Sequence, residues 1–322
     1  MKLAPRADVQ DDPVGIRSSS LAAERAPVGG FIRTMRPHHW AKNLLVFVPL
    51  LTAHEYENLT LVLQACVAFA CFSLCASGGY FLNDLKDLEA DRQHDTKRNR
   101  PLASGALAPS LGVVGAIGLP LAALALAWFY LPRPFLIVLA SYFVLNLSYS
   151  FALKRIFTAD VLALSVLYML RVLGGAVAIG VDLSSWLLAF CIFLFISLAY
   201  LKRYIELRKT DNGSDKVRGR GYVGVDTDSM FILGVANATA SVVVLALFIN
   251  SPEVELEYSS RDVLWGLCLV MIFWTNRVWI AARRGDVLED PVEYALRDRA
   301  SQIAGLICVV LVLVARYFVL PL

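Results

Sequence analysis

The stretch 83–91, NDLKDLEAD, has the residue types and spacing of a site for Mg²⁺ and a diphosphate. Asn83, Asp87 and Asp91 recur every four residues, so on a helix they span an arc of about 80° and a rise of about 12 Å. Mg²⁺ takes oxygen ligands and usually keeps waters and substrate phosphates around it. We therefore predict that Asn83, Asp84, Asp87 and Asp91 bind this metal.

Basic residues follow the acidic ones in the next loop. Lys97, Arg98 and Arg100 are predicted to bind phosphate oxygens that the metal does not reach. A solvated helix end, in which acids and bases merely pair along the surface, is the alternative. The apolar run that leads directly into Asn83, together with the spacing of the acids, favours a site.

The composition indicates which elements must hold these residues. The chain has 322 residues, of which 57% are hydrophobic, and it contains several charge-free windows of a length that crosses a bilayer. We therefore predict an all-α, polytopic membrane protein and exclude a soluble enzyme. The six cysteines lack metal-ligand spacing with histidine, so they are expected to pack between helices.

Nine spans account for the distribution of charge. We place them near residues 40–53, 59–82, 111–130, 135–153, 159–180, 185–201, 229–250, 263–282 and 303–320. This arrangement puts every strongly basic loop on one side, which predicts a bacterial cytoplasmic membrane protein whose N-terminus and site face the cytoplasm. Residues 1–30 are predicted to be a disordered cytoplasmic tail, and residues 31–322 a single transmembrane domain.

Three stretches resemble the UbiA superfamily of intramembrane prenyltransferases. NDLKDLEAD at 83–91, followed by TKRNRPLASG at 96–105, resembles its first aspartate-rich motif. RPHHWAKNLLVFVPLL at 36–51 resembles the start of the family's sequences, and YSFALKR at 149–155 resembles its segment between the fourth and fifth helices. The resemblance implies nine helices around a central cavity that opens laterally to lipid.

The sixth span departs from the pattern of most members. Those that prenylate aromatic acceptors carry a second motif, DxxxD, for another Mg²⁺, whereas AYLKRYIELRK at 199–209 has no aspartate. One acidic and one basic cluster indicate one metal-bound diphosphate and a second anion held directly by lysine and arginine. KRYIEL at 202–207 resembles the polyprenyl-phosphate phosphoribosyltransferase branch.

That resemblance implies the reaction and its partners. The donor would be phosphoribosyl diphosphate, the acceptor a polyprenyl phosphate (commonly decaprenyl), and the product a precursor of arabinose-containing cell-wall glycans, with Mg²⁺ as cofactor. The attacking lipid phosphate is already anionic, so catalysis would rest on positioning and electrostatics. Membrane lipids are expected partners and nucleic acid is not; the sequence leaves a homo-oligomer open.

The remaining candidates are assigned by role. We predict catalytic roles for Asp84, Asp87, Lys202 and Glu206, in which Glu206 either orients Lys202 or contacts ribose hydroxyls. Besides the basic residues of 97–100, the predicted substrate-binding residues are Lys42, Tyr149, Lys154, Arg155, Arg171, Arg203 and Tyr204. Arg171 lies in the middle of a span, where a charge is costly, so a phosphate-binding or structural role facing a cavity is predicted.

Two other functions are compatible with parts of the sequence. An ordinary prenyltransferase acting on an aromatic or quinone-precursor acceptor would need substitutes for the missing aspartates, and only Asp211 and Asp215 have the DxxxD spacing. A lipid or anion transporter would use intramembrane charges and broken helices. The charges cluster at one membrane face rather than at the midplane, which disfavours transport.

Overall fold

The computed structural model describes residues 26–209, 221–287 and 290–319, in which the helices form one bundle. The α-helices are α1 (Ala26–Met35), α2 (Val48–Thr52), α3 (Leu59–Lys86), α4 (Leu88–Arg92), α5 (Pro109–Tyr130), α6 (Arg133–Phe151), α7 (Ala159–Ile179), α8 (Ser185–Arg208), α9 (Thr227–Ile249), α10 (Pro252–Glu257), α11 (Trp265–Arg284), α12 (Pro291–Arg297) and α13 (Arg299–Tyr317). The 3₁₀ helices are η1 (Pro37–Phe47), η2 (Lys97–Asn99), η3 (Leu153–Arg155), η4 (Gly224–Asp226) and η5 (Arg261–Leu264).

The all-α, polytopic class is confirmed. Within the described residues, 8 helices are long and apolar enough to cross a membrane, and they match the predicted spans from 59–82 to 303–320. Their ends differ from the predicted ones by a few residues, mostly because the helices continue into charged segments such as 202–208. The protein is therefore a multi-pass membrane protein.

The first predicted span, 40–53, was expected to be a membrane-crossing α-helix. This prediction is wrong, because the segment is a 3₁₀ helix followed by a short α-helix. The chain forms η1, which has proline at its start, and then the short α2, which also has proline at its start. A 3₁₀ helix rises about 2.0 Å per residue, so the 16 residues of η1 and α2 together extend roughly 30 Å. That length is comparable to the hydrocarbon thickness of a bilayer.

The contacts at the two ends of this segment show that it traverses the bundle. Near its start, the ring of His39 forms a hydrogen bond with the carboxylate of Glu293, which follows α11 in the chain. Just after its end, Nε2 of His54 lies 3.2 Å from the hydroxyl of Tyr258, which precedes α11. Because α11 crosses the membrane, the two contacts lie at opposite ends. Helix α11 finishes with Arg283 and Arg284 on the side of Glu293, so we call this end of the bundle the basic end.

Helix α7 is the central helix of the bundle, and it contacts α3, α6, α8 and η1. Its Gly175 allows η1 to approach closely, because a Cβ at this position would lie 2.0 Å from the carbonyl oxygen of Val46. Small residues serve such contacts in membrane bundles because they let two backbones come together. This packing fixes the position of η1 and of the side chains that it carries.

A buried polar group also ties η1 to the bundle. Nε of Arg171 on α7 donates to Oδ1 of Asn43 at 2.7 Å, and its Nη2 donates to the hydroxyl of Tyr142 at 2.9 Å. A third bond from this guanidinium goes to the carbonyl oxygen of Leu167. The charge of Arg171 is thus held by fixed acceptors inside the bundle.

The predicted boundary of the N-terminal tail falls inside a helix. Residues 26–30 belong to α1, whose Phe31 packs its ring against Phe81 at a centroid distance of 4.7 Å. Residues 1–25 lie outside the described part of the chain, so disorder there stays a prediction. The assignment of residues 31–322 to one transmembrane domain also stays a prediction.

Candidate active site

The acidic stretch lies at the end of α3, but it does not form one continuous helix as predicted. Helix α3 ends at Lys86, Asp87 has φ −93° and ψ 9°, and α4 begins at Leu88. The amide of Asp87 still donates to the carbonyl oxygen of Asn83 at 3.0 Å, and that of Asp91 donates to Asp87 at 2.8 Å. The backbone therefore keeps hydrogen bonds of four-residue spacing from Asn83 to Asp91, and it bends at Asp87.

Asp84 and Asp91 are the carboxylates that converge, and arginine joins them. Nη1 of Arg100 lies 3.1 Å from Oδ1 of Asp84 and 2.6 Å from Oδ2 of Asp91. Arg36 reaches the same oxygen of Asp84 from the other side at 2.6 Å. Both aspartates are 2% exposed, so two guanidinium groups compensate two buried charges.

The other two predicted ligands, Asn83 and Asp87, remain available to a metal. Nδ2 of Asn83 donates to the hydroxyl of Ser150 at 3.1 Å, which leaves the amide oxygen as an acceptor. Asp87 is partly exposed, and among the described residues its carboxylate has no ion pair. No group of three His, Cys, Asp or Glu within the described residues could enclose a metal. These donors fit a hydrated Mg²⁺ with few protein ligands.

The basic side of the site is a pair of lysines that share one carboxylate. Nζ of Lys42 on η1 lies 2.7 Å from Oδ2 of Asp290, and Nζ of Lys202 on α8 lies 3.0 Å from the same atom. The side chain of Asp290 is 7% exposed. Burial disfavours its charged form, but the two ammonium groups outweigh this and hold the pKa of Asp290 well below its usual range. We call these three residues the lysine–aspartate cluster.

A row of side chains connects the acidic stretch with the lysine–aspartate cluster. The guanidinium of Arg36, which binds Asp84, lies 5.0 Å from the ring centroid of Tyr80. The ring of His39 on η1 is 5.5 Å from that of Tyr80 on α3, and His39 forms a hydrogen bond with Glu293. Glu293 is three residues after Asp290 on α12. The two charged groups are therefore parts of one site at the basic end.

Arg203 is the centre of a separate group of which it and Asp160 are the buried members. Its Nε is 2.9 Å from Oδ2 of Asp160, its Nη2 donates to the hydroxyl of Tyr149 at 2.9 Å, and its Nη1 pairs with Glu206. Arg203 is 1% exposed and Asp160 is fully buried. The arrangement holds Tyr149 and the end of α8 in fixed positions, while Lys202, the preceding residue, points to Asp290.

The structure divides the remaining predicted residues into exposed and buried ones. Lys97 and Arg98 are exposed on η2, and Arg155 is exposed at η3, with Lys154 partly buried beside it. Tyr204 is 3% exposed and packs against the rings of Phe231 and Trp279. Their predicted substrate contacts stay predictions. Asp211 and Asp215 lie outside the described residues.

Sequence reasoning did not predict the polar and charged contacts that four residues make in the site. These residues are Arg36, His39, Asp290 and Glu293. Asp290 precedes Pro291 and accepts a hydrogen bond from the amide of Val292, which is the pattern of a helix start. That signal was present in the sequence. The pairing with lysines 248 and 88 residues away was not.

Comparison with known proteins agrees with this architecture. Residues 44–284 match the model of the UbiA prenyltransferase family. The chain therefore belongs to this family, and its class is that of the UbiA superfamily transferases.

Several relatives cover nearly the whole chain. Nodulation protein NoeC of Azorhizobium caulinodans is 36% identical over 290 residues, 89% of this chain and 92% of the relative. Decaprenyl-phosphate phosphoribosyltransferase of Mycolicibacterium smegmatis is 32% identical over 300 residues, 90% of this chain and 93% of the relative. The uncharacterized protein y4nM of Sinorhizobium fredii is 35% identical over 294 residues, 90% of this chain, but the chain spans only 57% of its length.

Solved structures share the fold. A UbiA homolog from Archaeoglobus fulgidus bound to GPP and Mg²⁺ has a TM-score of 0.63 at 17% identity, and the match covers 90% of this chain and 99% of that one. The UbiA-like helical bundle predicted from the sequence is thereby confirmed.

Proposed function

We propose that this protein transfers a 5-phosphoribosyl group from phosphoribosyl diphosphate to a polyprenyl phosphate and releases diphosphate. The observation that carries the proposal is the lysine–aspartate cluster. The side chains of Tyr80 and His39 lie between this cluster and the acidic stretch 83–91. Two substrates that each carry phosphate need two anion-binding places. Among the described residues, the acidic stretch is proposed to hold its anion through a metal and the lysines to hold theirs directly. The relative from Mycolicibacterium smegmatis, at 32% identity, supports this donor and acceptor.

The proposed reaction is a displacement at the anomeric carbon of ribose. An oxygen of the lipid phosphate forms the new bond to this carbon, and the bond from the carbon to the diphosphate oxygen breaks. The electron pair of that bond leaves with the diphosphate. The attacking oxygen carries negative charge already, so the site needs no strong general base and acts by positioning and electrostatics.

The acidic stretch is proposed to hold the departing diphosphate. Asn83 and Asp87, with Asp84 and Asp91 behind them, would bind Mg²⁺, which when bound neutralises charge on the leaving group. Arg36 and Arg100 lie against the same carboxylates, where they can also donate to phosphate oxygens. The lysines would bind the second phosphate. Because Glu206 pairs with Arg203 while Lys202 points to Asp290, the proposal keeps for Glu206 the predicted contact with ribose hydroxyls and not the orientation of Lys202.

The orientation in the membrane follows from the soluble donor. Phosphoribosyl diphosphate is a cytoplasmic metabolite by its charge and its origin, so the basic end is proposed to face the cytoplasm of a bacterial cell. The charge bias of the loops supports the same orientation. Use of the product for arabinose-containing cell-wall glycans, and a homo-oligomeric state, remain part of the proposal.

A donor screen with the purified protein tests the function. The protein in detergent with Mg²⁺ receives either phosphoribosyl diphosphate with polyprenyl phosphate, or polyprenyl diphosphate with an aromatic acceptor. We expect diphosphate release and a lipid product only in the first mixture. Product formation only in the second would reject phosphoribosyl transfer in favour of ordinary prenyl transfer.

A further inference from the structure

We propose that Asp290 is a positioning residue that assembles Lys42 and Lys202 into one subsite for a phosphate monoester. The inference rests on the proposed function, since it assigns one of the two phosphate-bearing groups of that reaction to a place in the site. Three observations carry it. Both lysines contact the same carboxylate oxygen of Asp290, the other oxygen of Asp290 accepts from a backbone amide, and each ammonium group has further N–H donors.

The lysines come from distant elements and meet at one atom. Because both ammonium nitrogens contact Oδ2 of Asp290, at 2.7 and 3.0 Å, they lie less than about 6 Å apart. The side chains of Lys42 and Lys202 are 12% and 27% exposed, so water screens their mutual repulsion only in part. Asp290 supplies the counter-charge that lets two cations occupy one wall of the site before any substrate arrives.

Asp290 is held in place independently of the lysines. Its second oxygen, Oδ1, accepts a hydrogen bond from the amide of Val292 at 3.1 Å, so the carboxylate caps α12. Helix α12 is in turn attached to η1 through the hydrogen bond between Glu293 and His39. The carboxylate therefore has a fixed orientation, and it transfers this orientation to two long and otherwise flexible side chains.

The lysines retain the donors that a phosphate requires. Each ammonium group has three N–H bonds, and one of them is used for Asp290. The remaining donors of Lys42 and Lys202 can bind the terminal oxygens of a phosphate monoester. Two ammonium groups beside a single carboxylate would repel a divalent cation, so this subsite binds its anion without a metal. The monoester is either the lipid phosphate or the 5-phosphate of the ribosyl donor.

The test uses a substitution that removes the charge and keeps the helix cap. In Asp290→Asn the amide oxygen can still accept from Val292, because asparagine is as good a cap as aspartate. We expect the KM of the substrate whose monoester occupies the subsite to rise about tenfold or more, with a smaller change in the KM of the other substrate. Asp290→Glu, which restores the charge, should recover part of the affinity.

The matched control is Asp298→Asn. Asp298 also caps a helix, accepting from Ser301 at 2.9 Å, and also pairs with a cation, Arg277, but it does not contact either lysine. This variant should keep both KM values. In Asp290→Asn, a rise in the KM of the polyprenyl phosphate assigns the subsite to the lipid phosphate. A rise in the KM of phosphoribosyl diphosphate assigns it to the 5-phosphate of the donor.

Two further results separate this inference from the proposed function. Binding of a short-chain polyprenyl monophosphate is measured by calorimetry without donor or Mg²⁺. If the wild type transfers no phosphoribosyl group but Asp290→Asn weakens this binding, the function is rejected and a lipid-phosphate subsite stands. If transfer occurs and Asp290→Asn, folded as judged by thermal unfolding, keeps both KM values and this binding, the subsite is rejected.

Discussion

Lys42 and Asp290 are 248 residues apart in the chain, yet Nζ of the lysine lies 2.7 Å from a carboxylate oxygen of the aspartate. The contact joins the first segment that traverses the bundle to the connection between its last two spans. Lys202 reaches the same oxygen from α8, one residue beyond the sixth predicted span. The lysine–aspartate cluster therefore forms only when the first segment, α8 and the connection before α12 have packed together in the folded bundle.

The acidic stretch gives a prediction about metal dependence. Asp87→Asn should lower kcat/KM by about 100-fold or more and raise the Mg²⁺ concentration needed for half-maximal activity, because a carboxylate ligand is lost at the leaving group. Diphosphate release is measured over a range of Mg²⁺ concentrations. Glu89→Gln is the control, since Glu89 is 81% exposed and pairs with Arg92 on the surface. Equal Mg²⁺ dependence of the wild type and Asp87→Asn would argue against a metal at this position.

The buried arginine gives a prediction about stability. Arg171→Ala should lower the free energy of unfolding by about 3 kcal/mol, since it leaves Asn43, Tyr142 and the carbonyl of Leu167 without their donor in the core. Arg171→Lys should not restore it, because an ammonium group cannot reproduce the planar fork. Thermal unfolding in detergent measures both variants. A fully stable Arg171→Ala protein would contradict the structural role of these hydrogen bonds.

The close approach of η1 to α7 is tested by a pair of glycine substitutions. Gly175→Ala should destabilise the protein by about 1–3 kcal/mol, because its Cβ would meet the Val46 carbonyl and neither backbone can move freely. Gly118→Ala on α5 is the matched control, since a Cβ there has nothing within 4 Å. Equal unfolding temperatures for the two variants would contradict the packing described for η1.

Much of the fold could be predicted from the sequence, because membrane spans are encoded locally. A long apolar segment must satisfy its backbone hydrogen bonds internally, so length and hydropathy define the spans from 59–82 onward. The first segment differs because Pro49 lies where η1 passes into α2 and because its contacts with α7 and α3, rather than its own propensity, fix its conformation. Such contacts are not visible in a local pattern.

The site could be predicted only in its parts. The acids of 83–91 were proposed as candidates from residue type and spacing, and the lysines at 42 and 202 from residue type together with the family resemblance. The partner of each charge could not be derived, because Arg36 reaches Asp84 and Asp290 reaches both lysines through the tertiary fold. Spacing also suggested Asn83, Asp87 and Asp91 as one face, whereas Arg100 joins Asp84 and Asp91, two turns apart.

The depressed pKa of Asp290 predicts how stability depends on pH. An unfolded aspartate has a pKa near 3.9, and the folded value lies well below it, so the stabilisation is fully present above about pH 4. It is lost as the pH falls through the folded-state pKa. The unfolding free energies of the wild type and Asp290→Asn should therefore differ by a constant amount from pH 7 to about pH 5 and converge in stronger acid. A difference that disappears already near pH 6 would contradict the paired state of this carboxylate.

The most direct test of the central claim is the mass of the lipid product. Purified protein, Mg²⁺, phosphoribosyl diphosphate and a defined polyprenyl phosphate are incubated, and the lipid fraction is analysed by mass spectrometry. Phosphoribosyl transfer predicts a new lipid that is heavier than the acceptor by one phosphoribosyl group, formed in equal amount with diphosphate and formed much more slowly by Asp87→Asn. An unchanged acceptor, in a preparation that does convert polyprenyl diphosphate, would contradict the claim.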